Sequence, residues 1–155
     1  MLGYRYEVSI LVVCMENVCR SPMIEGVLKK EVRNLGLAKK VRVASAGTLA
    51  SQPGSKPDVR AIRVARLRNI NIENIKARKL TAHDIQSYDH ILAVDKSVLR
   101  AIQNLASGEA VKKIELLLKE EEVPDPYYGN EAGFESVMDT VELAVKEWVE
   151  KQLKQ

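Results

Sequence analysis

Apolar and polar positions along the chain switch repeatedly between strand and helix periodicity. Val8 to Val13 is a continuous apolar, β-branched run, short enough for a buried strand. Ser21-Pro22 then reads as an N-cap and first helical position, with Glu25 in the first turn. Ile24, Val27, Leu28 and Val32 recur at helical spacing, which ends near Gly36. Val41 to Ala44 predicts a second strand, closing on Ser45-Ala46-Gly47-Thr48. Leu49 to Lys56 holds Ser, Gln, Pro and Gly and reads as a loop. Pro57-Asp58 opens a helix through about Leu67, with Ala61, Ile62, Ala65 and Ile70 inward. A short strand is expected at Ile72 to Ile75, and a short helix at Thr81 to Ser87 with Thr81 capping and Asp84 three residues on. His90 to Val94 reads as a strand, Asp95 caps a helix through roughly Leu105, and Val111 to Leu116 predicts a further strand. Glu131 to Leu153 reads as a long amphipathic helix, with Met138, Val141, Leu143 and Trp148 on its packing face.

Strands alternating with helices imply βαβ units and a mostly parallel sheet covered on both faces. Repeats, low-complexity segments and linkers are absent, and 155 residues suit a single domain spanning 1–155. Sites in such sheets form at the carboxyl ends of strands. Cys14 stands at that end of the first strand.

Composition narrows the function classes. The formal charge of +3 gives no concentrated basic surface for a nucleic-acid duplex. Phe134, Trp148 and five Tyr are too few for base-stacking platforms. With no signal peptide and no apolar run near the ~20 residues a membrane span needs, the reading is a cytoplasmic protein with reduced thiols. The only two cysteines, Cys14 and Cys19, lack a second ligand pair, and His83 and His90 form no ligand pattern with them, so no metal is expected. His83 and His90 read as structural or surface residues, and Lys76, Arg78 and Lys79 as a solvated charged face.

The segment Cys14-Met15-Glu16-Asn17-Val18-Cys19-Arg20-Ser21 joins the first strand to a helix start. Successive N–H groups of such a loop can turn inward as an anion nest, and the helix adds its own unpaired N–H groups and dipole. Arg20 supplies a fork matching two oxygens of a tetrahedral anion. The same positive surroundings favour a thiolate nucleophile at Cys14, and Ser21 could donate to its sulfur. Asn17 suits a left-handed backbone position. The alternative from spacing alone is a buried core thiol at Cys14 and a surface charge at Arg20.

A thiolate that displaces an alkoxide or phenoxide needs a general acid. Asp125, in Val123-Pro124-Asp125-Pro126-Tyr127-Tyr128-Gly129, is the candidate. Prolines on both sides stiffen its loop, and the two tyrosines could wall a cleft. A plain turn is the alternative reading of that segment.

"VCMENVCRSP" with "DPYYG" resembles the low-molecular-weight protein tyrosine phosphatases, and "SAGT", "KPDVRA", "KARKLT", "YDHILAVD" and "VPDPYYGNEAGFESV" follow in that family's order. The likeness covers nearly the whole chain. It implies a flavodoxin-like three-layer α/β sandwich with about four parallel strands, acting without metal or cofactor on a tyrosine-phosphorylated protein. It implies attack by Cys14, a phosphocysteine, and Asp125 as acid and then base. Arg20 and the N–H groups of Met15, Glu16, Asn17, Val18, Cys19 and Ser21 would hold the phosphoryl oxygens. Asn17 and Ser45 would brace the loop, Asp95 would orient the surroundings of Arg20, and Tyr127 and Tyr128 would line the cleft. Cys19 resembles a second thiol able to capture an oxidised Cys14 as a disulfide.

Three departures stand out. Glu16 replaces a usual Gly, which strains the backbone if φ must be positive and otherwise places a carboxylate at the cleft rim. Ile75 replaces a frequent His in the bracing network, so Ser45 must find another partner. Ser51 and Gln52 make a polar wall where an aromatic is common. Phosphoarginine relatives typically carry Thr where Val18 stands, and arsenate-reducing relatives use further cysteines that this chain lacks. A phosphoprotein-binding module without turnover is the remaining alternative, with Cys14, Arg20 and Asp125 together speaking against it. No feature of the sequence sets an oligomeric state.

Overall fold

The computed structural model describes residues 6–119 and 121–154. Four strands, β1 (Val8–Cys14), β2 (Val41–Gly47), β3 (His90–Ala93) and β4 (Ile114–Leu116), form one sheet in the order β2-β1-β3-β4. Every pairing is parallel, with Cys14 opposite Gly47 and Val13 opposite Ala93. Parallel pairing needs crossovers, and helices α1 (Arg20–Asn34), α2 (Val59–Arg66), α3 (Ala82–Ser87), α4 (Lys96–Leu105) and α5 (Glu131–Gln152) supply the cover. The chain runs outward from β1 to β2 on one side, then to β3 and β4 on the other. With right-handed crossovers, this reversal sends helices to opposite faces. Helix α1 packs with α2 and α5, while α4 packs with α3, β3 and β4. The reversal also splays the loops after β1 and β3, leaving a crevice at their carboxyl ends. The architecture is a flavodoxin-like α/β sandwich.

Strand β1 is the centre of the core. Ile10, Leu11, Val12 and Val13 are all fully buried, as a strand covered on both faces requires. Its apolar run is therefore continuous rather than alternating. On α5 the buried residues Phe134, Val137 with Met138, Val141, Val145 and Trp148 follow helical spacing, one stripe facing α1 and α2. Leu143 lies two residues from Val141, on the opposite side of that helix, and is exposed, contrary to the packing role its hydrophobicity suggests. His90 meets the Trp148 ring edge-on at 5.1 Å, a structural contact. Among the described residues, no helix is long and apolar enough to cross a membrane.

Elsewhere the sequence expectations need correction. Helix α1 begins at Arg20, not after Ser21, and its N-cap residue Cys19 makes no side-chain cap bond. The Ser21 hydroxyl is turned to Cys14 instead, and Glu25 falls beyond the first turn, buried. No strand forms at Ile72 to Ile75: Ile75 N–H closes a turn on Ile72 O. Ile70 and Ile72 spend their apolar surface on Gly26 of α1 rather than on the sheet edge. The Val111 to Leu116 run splits into a 3-10 helix (Gly108–Lys113) and β4, because Val111 stays exposed and only Ile114 enters the core. Ile62 is half-buried against the core rim, while Ala61 and Ala65 are inward as expected. The capping box at α3 is present, with Thr81 and Asp84 reciprocally bonded.

Gly26 shows how tightly α1 is seated. A Cβ there would lie 2.6 Å from a branched methyl of Ile72 and 2.7 Å from one of Ile70. Helix propensity alone favours Gly26→Ala by about 1 kcal/mol, whereas overpacking costs about 1–3 kcal/mol. The expected result is net destabilisation of up to about 2 kcal/mol, read as a lower urea midpoint with an unchanged slope. A more stable Gly26→Ala variant would contradict this packing.

Candidate active site

Strand β1 stops at Cys14 and α1 starts at Arg20, so five residues must turn the chain back on itself. Asn17 makes the turn possible with φ 62°, while Glu16 stays outside the positive-φ region. The carbonyls of this loop are tied to its surroundings. Cys14 O accepts from Thr48 N–H, Met15 O from Leu49 and Ala50 N–H, and Val18 O from Asp58 N–H. A trans peptide points its N–H opposite to the carbonyl before it, and no cis bond occurs among the described residues. The N–H groups of Met15, Glu16 and Cys19 therefore face the other way, into the loop. Asn17 N–H donates to Cys14 Sγ at 3.1 Å. Gly47 sits against this loop so closely that a Cβ would lie 2.6 Å from Met15 O.

The side chain of Asn17 fixes the polarity of the hydrogen bonds below the sulfur. Arg78 N–H donates to its Oδ1 at 3.0 Å, which settles the amide orientation. Its Nδ2 then donates to Ser21 Oγ at 2.8 Å and to Ser45 Oγ at 3.0 Å. Ser45 in turn donates to Glu25 Oε1 at 2.6 Å, and Lys29 Nζ donates to Glu25 Oε2 at 2.6 Å. Glu25 is thus the partner Ser45 uses where Ile75 offers no hydrogen bond. Ser21 Oγ already accepts from Asn17, which frees its proton for Cys14 Sγ, 2.9 Å away.

Arg20 is not a surface charge. Its side chain is 5% exposed, and Nη1 donates to Asp95 Oδ2 at 2.8 Å and to Val123 O at 3.1 Å. Asp95 spends its other oxygen capping α4 through Val98 N–H. Val123 O belongs to the segment that carries Asp125, and Val123 N–H docks on Val94 O. One guanidinium thus ties the ends of β1 and β3 to the Asp125 loop. Asp125 Oδ2 lies 3.8 Å from Arg20 Nη2, while Oδ1 accepts from Tyr127 N–H at 3.1 Å. The flanking prolines and this bond hold the carboxyl over the cleft.

Arg60 clamps the far end of that loop. It grips Asp58 with a bidentate fork and donates to Tyr127 O and Gly129 O at 2.8 Å each. Its guanidinium lies 4.5 Å over the Phe134 ring. The hydrogen-bonded Arg60 holds the Asp58 carboxyl below its usual range. Cys19 is affected in the opposite sense. Burial, followed by the charges of Asp58, Asp125 and Cys14, pushes its thiol up to about 12, against a lowering by Arg60.

The cleft has a volume of about 280 Å³ and is lined by Cys14, Met15, Glu16, Val18, Cys19, Arg20, Ser51, Gln52, Asp125, Tyr127 and Tyr128. The two tyrosine rings stand edge to face at 4.9 Å, and Tyr128 is 94% exposed at the mouth. Among the described residues, no three His, Cys, Asp or Glu side chains are grouped to hold a metal ion.

The residues predicted for the site meet here: Cys14 to Ser21 as the loop, Asp125, Tyr127 and Tyr128 over the mouth, Asn17, Ser45 and Asp95 beneath. Arg60, Glu25 and Lys29 were not foreseen. Asp58-x-Arg60 at a helix start hints at a local pair, but nothing local shows that the pair reaches residues 127–129. The Glu25 to Lys29 spacing reads as an ordinary i, i+4 pair, and only the fold reveals Ser45 beside it.

The model of the family described as low molecular weight phosphotyrosine protein phosphatase matches residues 9–155. A Gallus gallus protein of that name is 37% identical over 150 residues, covering 92% of this chain and 94% of the relative. The crystal structure of a protein tyrosine phosphatase from Entamoeba histolytica superposes with a TM-score of 0.88 at 33% identity, covering 93% of this chain and 96% of that one. Vibrio vulnificus Wzb in complex with benzylphosphonate gives a TM-score of 0.83 at 34% identity, over 93% and 98%. A sandwich with its crevice beside β1, a loop of inward N–H groups around Cys14, and this likeness along almost the full length agree: the chain belongs to the low molecular weight phosphotyrosine protein phosphatase family.

Proposed function

We propose that this chain hydrolyses phosphotyrosine in proteins, through a phosphocysteine on Cys14 and with Asp125 as proton donor and acceptor. The observation that carries the reading is the joint placement of Cys14, Arg20 and Asp125 on one cleft, with loop N–H groups turned inward around the sulfur. Asn17 N–H and Ser21 O–H are both directed at the sulfur, at 3.1 and 2.9 Å.

In the first step Cys14 Sγ attacks phosphorus. The S–P bond forms as the P–O bond breaks, and Asp125 gives its proton to the departing phenolic oxygen. Loop N–H groups and the free edge of Arg20 hold the three equatorial oxygens while charge redistributes over them. In the second step Asp125, now a carboxylate, takes a proton from water as its oxygen attacks phosphorus. The S–P bond breaks, its electron pair returns to sulfur, and Ser21 stabilises the departing thiolate. Inorganic phosphate leaves. Tyr127 and Tyr128 offer the leaving aromatic ring a wall. Asp95 and Val123 O fix Arg20, Asn17 and Ser45 fix the loop, and Arg60 fixes the acid's loop. Val18 lines the cleft without a hydroxyl, which supports an aryl ester over phosphoarginine.

Wild type, Cys14→Ser and Asp125→Ala should be compared on phenyl phosphate and p-nitrophenyl phosphate, with chelator present. Cys14→Ser is expected to be inactive on both. Asp125→Ala should lose about 10²–10⁴-fold on phenyl phosphate and much less on the activated ester, which leaves without a proton. Equal rates for all three proteins would end the proposal. Phosphoarginine, assayed in parallel, should not be turned over.

Arg60→Ala is expected to lower kcat on phenyl phosphate about tenfold or more with a smaller effect on p-nitrophenyl phosphate, since it loosens the acid and not the nucleophile. Arg60→Lys should not restore the rate, because an ammonium cannot serve Asp58 and two carbonyls in one plane. Alkylation at pH 8 followed by peptide mapping should find Cys14 modified and Cys19 untouched. Faster labelling of Cys19 would contradict its protonated state.

A further inference from the structure

Glu16 places a carboxylate at the rim of the cleft, and the chemistry above gives that side chain no task. Its Oε1 accepts from both the N–H and the hydroxyl of Ser51, each at 2.8 Å. This bond straps the phosphate loop to the polar wall of the mouth. Among the described residues, no ion pair involves Glu16 and no hydrogen bond reaches its Oε2. Three charged side chains line the cleft: Glu16, Arg20 and Asp125. Arg20 lies at the floor, 5% exposed and held by Asp95. Both charged groups at the mouth are therefore carboxylates. Arg60, the cation beside the tyrosine wall, is committed to Asp58 and two loop carbonyls.

Asp125 is committed to proton transfer in the chemistry above, so Glu16 is the cleft carboxylate left to face an arriving substrate. A carboxylate beside a phosphate dianion opposes binding, and the opposition is relieved when the substrate brings a cation to the same place. A phosphoryl group seated over Cys14 obliges the rest of its peptide to leave past Glu16, Ser51 and the two tyrosines. The residues next to the phosphotyrosine then cross the rim within reach of Glu16.

Resting on the phosphotyrosine reading, we propose that Glu16 determines specificity: it selects phosphotyrosine flanked by Lys or Arg and disfavours acidic neighbours. The Ser51 strap holds the carboxylate in place, so its charge acts from a fixed position and not from a freely rotating side chain.

The test uses two phosphotyrosyl peptides of equal length, identical except for Lys or Glu beside the phosphotyrosine, with phenyl phosphate as a reference. For the wild type, kcat/KM should favour the Lys peptide by about three- to tenfold at low salt, mostly through KM. The ratio should shrink as salt is raised. Glu16→Gln keeps an acceptor oxygen for Ser51 and removes the charge, so its ratio should approach one. A wild-type ratio near one, or the same ratio in wild type and Glu16→Gln, overturns the inference. The wild-type ratio and its salt dependence stand even if the variant folds poorly. Turnover of both peptides at equal rates sinks this inference alone. Turnover of phenyl phosphate with neither peptide hydrolysed sinks the phosphotyrosine reading as well.

Discussion

The carboxamide of Asn17 is the constraint on which the site depends. It is fully buried, at a positive φ, and every polar atom of it is engaged. The Arg78 N–H decides which end is oxygen. That decision makes the nitrogen a donor to two serines, sends the Ser45 proton to Glu25, and leaves the Ser21 proton for the sulfur. A left-handed residue here turns the loop; an amide side chain here also orders the protons. Aspartate would tolerate the backbone but supplies no donor, and glycine would leave the serines free to turn. The hydrogen bonds below Cys14 thus behave as one directed chain, not as a set of independent contacts.

The fold makes such a loop affordable. Its turn, its inward N–H groups and its confined thiol are all features a free peptide would avoid. They persist because β1 is sealed on both faces and α1 is seated so closely that Gly26 admits no methyl group. Gly47 matters for the same reason from below: with no side chain, it lets β2 support the loop through its backbone. Rigidity at the strand ends is passed to the sulfur through short, buried contacts.

The parts of this arrangement legible in the sequence are those written in local pattern. The continuous apolar run of β1, the helical spacing of Ile24, Val27 and Leu28, and the capping signals at Asp58, Thr81 and Asp95 each sit within a few residues of their effect. The cysteine and arginine of one loop and the proline-flanked acid identify themselves by residue type and order. Apart from the Ser21 cap, which the sulfur claims, the misreadings share a cause: an apolar pattern does not say what will cover it. Ile72 is buried against a helix without its segment becoming a strand, Val111 is left outside, and Leu143 points away from its own helix's core face. The distant partners of Arg60 and Glu25 were equally out of view. They lie about twenty to seventy residues away along the chain, and only the meeting of separate crossovers brings them together.

The clamp at Arg60 couples two things that look separate. Its guanidinium neutralises Asp58 with one edge and grips the carbonyls after Pro126 with another. Asp58 also stands among the charges acting on the Cys19 thiol. If the tyrosine-bearing segment lifts away, the cation loses two carbonyl acceptors and keeps Asp58 as its partner. Widening the entrance is therefore an electrostatic question as well as a steric one, since it strips a guanidinium of two charge-assisted hydrogen bonds.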